Sequence, residues 1–263
     1  MGSATTQAQA ASTAALSAAS GVDLDVAREL FAAARAIGGS PQLSGALADS
    51  AAPGEARAKV VADVFGGAVR PVTRALLTDV VAHRWSSSSD LVDGVEELAV
   101  RAAAIAEPHA DVEGELFGFS RTVSQNPELE LALGSRQGDP AIKAELVQSL
   151  LGSRTSSATA LIASSFVQQP RERRVRQLLT RAMGIVADQR GRTVATVFTA
   201  TPLSAAQTDR LVGALAKRYG TGVSLNTVID PDVVGGLRVQ IGDDVIDASV
   251  SSRLADLRQR LAG

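Results

Sequence analysis

Two stretches decide the reading of this chain: "DVARELFAAARAIGGSPQLSGAL", residues 25–47, and "DVEGELFGFSRTVSQNPELELAL", residues 111–133. Sliding the sequence by 86 positions without a gap lays Asp25–Thr73 on Asp111–Thr159 with 14 identities in 49 positions. The strongest part sets Glu29-Leu30-Phe31 on Glu115-Leu116-Phe117, with Arg35 on Arg121, Pro41 on Pro127, Leu47 on Leu133 and Gly66 on Gly152. Alanine inflates chance identity, but Pro, Phe, Arg and Gly coincide too, so an internal duplication is the simplest explanation. A period of 86 is a domain rather than a solenoid unit.

The physics repeats along with the letters. Val26, Leu30, Ala33 and Ile37 lie at helical spacing, and their shifted partners Val112, Leu116, Phe119 and Val123 form the same stripe. Further on, Val60, Val61, Val64 and Phe65 correspond to Leu146, Val147, Leu150 and Leu151, a second apolar face at i, i+1, i+4, i+5. Helices are expected over 4–19, 23–37, 41–49, 54–65, 71–83 and 90–106, punctuated by Gly38-Gly39, Pro53-Gly54, Gly66-Gly67 and the serines 86–89. The last of these runs on towards Glu107-Pro108 and is expected to serve the second copy as well.

Beyond Gly191 the pattern changes. Val194, Thr196 and Phe198 alternate as in a strand; Ser204 with Gln207 three residues later makes a capping box; Val212, Leu215, Ala216 and Tyr219 form a helical face ending at Gly220. Val223, Leu225, Thr227 and Ile229 alternate next, then Leu237, Val239 and Ile241, with a turn at Gly242-Asp243-Asp244. Val250, Leu254, Leu257 and Leu261 make a final amphipathic stripe with Asp247 or Ser249 as N-cap. The fold expected is mainly α: two tandem six-helix bundles, residues 1–107 and 108–191, followed by a small α/β domain of β-α-β-β-α order, residues 192–263.

Composition narrows the chemistry. The 263 residues are 45% hydrophobic and 21% charged, an ordinary globular balance that excludes collagen-like, disordered and disulfide-rich chains. There is no cysteine, hence no thiol nucleophile and no sulfur-ligated metal. The net charge of −2 and the 3% aromatic content argue against nucleic acid as a partner, and no apolar run is long enough to insert in a membrane. The opening Met1-Gly2-Ser3-Ala4-Thr5-Thr6 matches a myristoylation pattern that recurs by chance and is read as noise, so the chain is expected to be soluble and unprocessed.

No catalytic, metal or cofactor site is expected. His83 and His109 lack a second ligand at metal spacing; the aspartates between 230 and 247 fit no calcium loop; Gly235-Gly236 lacks the third glycine of a dinucleotide fingerprint and reads as a tight turn. The basic run Pro170–Arg176 reads either as a contact for phosphate or a carboxylate-bearing partner helix, or as a solvated helix start. The residues alone therefore lead to a helical, partner-binding scaffold.

Resemblance carries further. "TATPLS" at 199–204, Gln207, and "VIDPDVVGGLRVQIGDDVIDASVSSRL" at 228–254 resemble the delta subunit of F-type ATP synthases, the relative of the oligomycin-sensitivity-conferring protein. The matching positions are Asp230, Pro231, Val234, Gly235, Gly236, Val239, Ile241, Gly242, Val245, Asp247, Ser249, Val250 and Leu254, and "NPELELAL" with Arg171–Leu179 matches the family's six-helix domain. The extra bundle at 1–107 resembles the long actinobacterial form, and the excess of Arg (23) over Lys (3) is consistent with a high-GC genome. The resemblance implies a non-catalytic peripheral-stalk subunit without cofactor. It implies a bundle receiving an N-terminal helix of an alpha subunit of the catalytic head, a C-terminal domain holding the stalk's b subunit, and a place on the cytoplasmic side of the cell membrane. Family geometry also points to Leu76 and Val80 in the first copy, and Leu161 and Ser164 in the second, as borders of the partner-helix grooves, the alternative being that these side chains are simply core. The alternatives are a regulatory adaptor unrelated to the synthase and a nucleic-acid-binding helical protein.

Overall fold

A computed structural model describes residues 2–135, 137–171, 173–233, 235–242 and 244–250. It divides into two compact units, Met1–Ile185 and Val186–Gly263.

The first unit is helical: α1 (Ser3–Ala18), α2 (Leu24–Gly38), α3 (Pro41–Ala48), α4 (Gly54–Phe65), α5 (Pro71–Ala82), α6 (Ser88–Ala106), α7 (Val112–Gln125), α8 (Pro127–Gly134), α9 (Pro140–Leu151), α10 (Ser157–Gln168) and α11 (Val175–Gln189), whose last residues cross into the second unit. The starts follow from local chemistry. Asp23 accepts the Asp25 and Val26 N–H groups at 3.0 Å each, and Ser40, Ser87, Asp111, Asp139 and Ser156 cap α3, α6, α7, α9 and α10 in the same way. Proline opens α3, α5, α8 and α9, where its missing N–H leaves no intrahelical bond unmade.

Helix α6 is the hub. It packs against α1, α2, α3 and α5 on the N-terminal side and against α10 on the other. Its polar groups are buried along with its alanines, because Glu96, Glu97 and Arg101 are each nine-tenths covered. The stripe Val26, Leu30, Ala33, Ile37 is buried on α2, and Val112, Leu116, Phe119, Val123 on α7, as the spacing required. Phe31 and Phe166 meet edge to face at 5.9 Å, joining α2 to α10.

The second apolar face departs from expectation. On α4 and α9, Val61, Phe65, Val147 and Leu151 are buried, while Val64, Leu146 and Leu150 face outward. Two adjacent apolar rows on one helix cannot both meet a single neighbour, and α9 packs chiefly on α10.

The second unit runs β1 (Arg192–Thr199), α12 (Ala205–Tyr219), β2 (Gly222–Ile229), β3 (Leu237–Ile241) and β4 (Asp244–Asp247). Sheet order is β2-β1-β3-β4: β1 and β2 are parallel across the α12 crossover, and the β1/β3 and β3/β4 pairs are antiparallel. The Ser204–Gln207 capping box opens α12 and Gly220, at φ 72°, closes it. The core is Ala195, Val197, Leu215, Val223, Val239 and Ile241, with Leu211, Val212 and Tyr219 of α12 against it.

Two expectations are corrected here. The buried phase of β1 is Ala195, Val197, Thr199, not the more conspicuous Val194, Thr196, Phe198, which is half-buried on the opposite face. Strand β4 was not expected, because four residues with two aspartates carry no readable period. Among the described residues the order is therefore β-α-β-β-β. The final helix expected beyond Asp247, with Leu254, Leu257 and Leu261, lies outside the described residues.

Candidate partner-binding surfaces

The best-defined polar feature of the first unit occurs twice. Glu115 on α7 reaches the start of α10, where its Oε2 accepts the Ser156 N–H at 2.9 Å, the Ser156 hydroxyl at 2.5 Å and the Thr159 hydroxyl at 2.6 Å. Glu29 on α2 does the same for α5, accepting the Arg70 N–H at 3.1 Å and the Thr73 hydroxyl. The residues correspond under the shift of 86: Glu29 with Glu115, Arg70 with Ser156, Thr73 with Thr159. A carboxylate at a helix N-terminus answers unpaired N–H groups and the positive end of the dipole together. In the first copy Arg70 adds a two-pronged bond to Asp23, at 2.6 and 3.0 Å. That bond holds the Asp23 carboxyl well below the ordinary aspartate range and the guanidinium above its own.

The four residues expected to border grooves lie on α5 and α10. Leu76 and Val80 sit one turn apart on α5, both buried, and the Val80 carbonyl accepts the Trp85 indole N–H at 2.8 Å. On α10 Leu161 is half-buried, while Ser164 is buried with its hydroxyl on the Leu161 carbonyl at 3.2 Å. Helix α5 packs on α1, and α10 packs on α6.

Three arginines of the basic run Pro170–Arg176 are paired within the chain rather than solvated, which leaves Arg174 for the partner-contact reading. Arg171 pairs with Asp93 and, at 2.8 Å, with Glu96; Arg173 reaches the same two carboxylates at 3.1 and 2.8 Å; Arg176 meets Glu130 at 2.9 Å. These arginines fasten the approach to α11 onto α6 and α8. Arg174 is exposed and has no side-chain partner among the described residues.

Surface apolar residues were missed at sequence level. Leu131 on α8 is 75% exposed and Ile142 on α9 is 64% exposed, the latter heading the outward row that continues through Leu146 and Leu150. The available signal was the surplus: α9 carries more apolar positions than one neighbour can cover. Beside Leu131 a cleft of about 390 Å³ opens between α8 and the first turn of α11, lined by Pro127, Glu130, Gly134, Ser135, Arg173, Arg174 and Val175.

The family-motif positions of the second unit hold its sheet together. Asp230 donates its N–H to Thr199 O at 2.9 Å and accepts from the Asp232 N–H at 3.0 Å, so the turn at Pro231 folds back on β1. Gly236 has φ 121°, and a Cβ there would lie 2.5 Å from the Ala248 carbonyl oxygen, so only glycine lets residues 248–250 come alongside. Gly235 O accepts the Val250 N–H at 2.7 Å, and Gly242, at φ 56°, makes the β3–β4 turn. Asp247 ends β4 opposite Arg238 and accepts the Ser249 N–H at 2.9 Å; bonding from Ser249 draws its pKa down. Among the described residues no three His, Cys, Asp or Glu gather as a metal site, and no helix is long and apolar enough to cross a membrane.

Helix-end clamps, outward apolar rows and a small open sheet make a mainly helical chain with a four-stranded mixed sheet. Residues 98–261 match the family described as ATP synthase delta (OSCP) subunit. The delta subunit of Leifsonia xyli is 48% identical over the full length of both chains, and that of Streptomyces avermitilis is 43% identical over 94% of this chain and 93% of its own. The chain belongs to the ATP synthase delta (OSCP) family. A chain in a mitochondrial ATP synthase structure from Toxoplasma gondii covers 64% of this one and 97% of itself at 21% identity, with a TM-score of 0.36, too distant to bear on the fold.

Proposed function

We propose that this chain is the peripheral-stalk subunit that ties the catalytic head of an F-type ATP synthase to the stalk's b subunit, resisting rotor torque during ATP synthesis. It acts as a structural member without an active site of its own, at the cytoplasmic face of the cell membrane. The observation that carries this is the end-to-end similarity to delta subunits, which leaves no room for an unrelated adaptor.

In this reading residues 1–107 and 108–191 are two copies of one helical bundle, and residues 192–263 are the stalk-binding module. Support for the duplication comes from contacts as well as letters: α1 on α5, α2 on α3, α2 on α5 and α4 on α5 recur as α6 on α10, α7 on α8, α7 on α10 and α9 on α10. Every helix number advances by five, so α6 closes the first bundle and opens the second. The repeated Glu29 and Glu115 clamps agree.

Each bundle receives an amphipathic N-terminal helix of an alpha subunit along its fifth helix, α5 or α10, by helix-in-groove docking. Leu76, Val80 and Ser164 form the packed floor of those grooves and half-buried Leu161 stands at the rim. The test titrates the full chain and a fragment ending at Gly191 with head particles lacking this subunit and with the soluble part of the b subunit. The full chain is expected to bind both, the fragment the head alone. A fragment that binds b as tightly as the full chain refutes the division, and a full chain that binds neither refutes the function.

A further inference from the structure

We infer that the cleft between α8 and the start of α11 is a docking socket for an amphipathic helix carrying a carboxylate beside its apolar face, contributed by another subunit of the assembled complex. Three observations carry it. The first is chemistry left over after the internal partners among the described residues are counted. Leu131 stands 75% exposed against Pro127 and Val175, and Arg174 on the same rim has no side-chain partner among the described residues. The other charges of the cleft are engaged, Arg173 with Asp93 and Glu96, and Glu130 with Arg176 through Oε2. An occupant therefore meets a positive charge, Arg174, that is uncommitted among the described residues, beside an apolar wall, and the complement is an apolar side chain with an Asp or Glu about one helical turn away.

The second is an orphaned atom. Oε1 of Glu130 is buried with no hydrogen-bond donor among the described residues, a position that costs free energy until an arriving N–H or O–H answers it. The third is the internal repeat, which supplies its own control. Under the shift of 86, Pro127 keeps its proline at Pro41, but Leu131 falls on Gly45, Glu130 on Ser44, and Arg173–Val175 on Ser87–Ser89. Buried pairs such as Leu30 with Leu116 and Leu47 with Leu133 keep an apolar side chain in both copies, whereas Leu131 has only Gly45 as its counterpart. The cleft is thus a feature of the second copy, distinct from the α5 and α10 grooves proposed above.

The inference rests on the reading of this chain as a subunit of an assembled synthase, and the test separates the two. A photoreactive phenylalanine analogue is placed at position 131, or at position 45 as control, and the complete complex is purified and irradiated. Leu131 is so exposed that its replacement leaves the fold intact. Position 131 is expected to crosslink to another subunit, on a segment with Asp or Glu within about one turn, while position 45 does not. Arg174→Glu should cut that crosslink at least fivefold and Arg174→Lys should retain most of it. If the complex assembles with the probe yet position 131 crosslinks to nothing, or within its own chain, or with a yield indifferent to Arg174→Glu, the socket is wrong and the stator function stands. If the chain is absent from the purified complex, the function itself fails.

Discussion

Replacing Glu115 by alanine removes the carboxylate that ties α7 to the start of α10. Three bonds go at once, from the Ser156 N–H, the Ser156 hydroxyl and the Thr159 hydroxyl, and Thr159 has no exposed surface through which water could substitute. Hydrogen bonds to a charged acceptor contribute about 1.5–3 kcal/mol each, but bonds sharing one oxygen are not additive, so a loss of about 3 kcal/mol is expected. In a unit of this size that corresponds to ~6–12 °C in Tm. Trp85, the sole tryptophan, lies in the same compact unit and reports its unfolding in urea by fluorescence. Glu115→Gln, which keeps an acceptor but no charge, should lose about half as much. Thr159→Val should cost about 1 kcal/mol alone and nearly nothing on top of Glu115→Ala, the signature of a shared bond. The reasoning is refuted if Glu115→Ala lies within about 0.5 kcal/mol of the parent chain, a shift usual for featureless surface sites, or if Thr159→Val costs as much on top of Glu115→Ala as it does alone.

Three further outcomes are expected. A Cβ on Gly94 would lie 2.1 Å from the Trp85 ring, so Gly94→Ala should cost about 1–3 kcal/mol and shift Trp85 emission to the red; unchanged emission would show that the ring is not seated there. Gly236→Ala combines a positive φ with a clash against Ala248 O and should loosen the second unit, raising proteolysis after residue 186 while Trp85 emission stays constant. The Asp23 carboxyl is more acidic folded than unfolded, so its bond to Arg70 contributes stability above about pH 4 that is lost as pH falls. Asp23→Asn should therefore lower Tm at pH 7, with the gap to the parent chain narrowing below pH ~4; a gap independent of pH would refute that assignment.

Helices and their caps could be read from the chain because they depend on neighbours three or four residues apart: a serine before a proline, an apolar residue every turn. Expected bounds such as 54–65 and 71–83 stand within a residue of α4 and α5. Even the Glu29-Leu30-Phe31 and Glu115-Leu116-Phe117 repeat was visible, though not the reason for its glutamate. That reason lies in the helix starting 41 residues later, brought within hydrogen-bond reach by packing alone. The same limit explains the other gaps. Period cannot say which of two apolar rows on α9 meets α10, nor which phase of β1 faces α12, because both rows obey the helix or strand repeat equally. Nor can charge along the chain say that Arg171, Arg173 and Arg176 are answered by Asp93, Glu96 and Glu130 while Arg174 has no side-chain partner among the described residues. The amino-acid order determined the helices and where they begin and end. Only tertiary packing decided which side chains were left exposed, since exposure depends on every element that arrives.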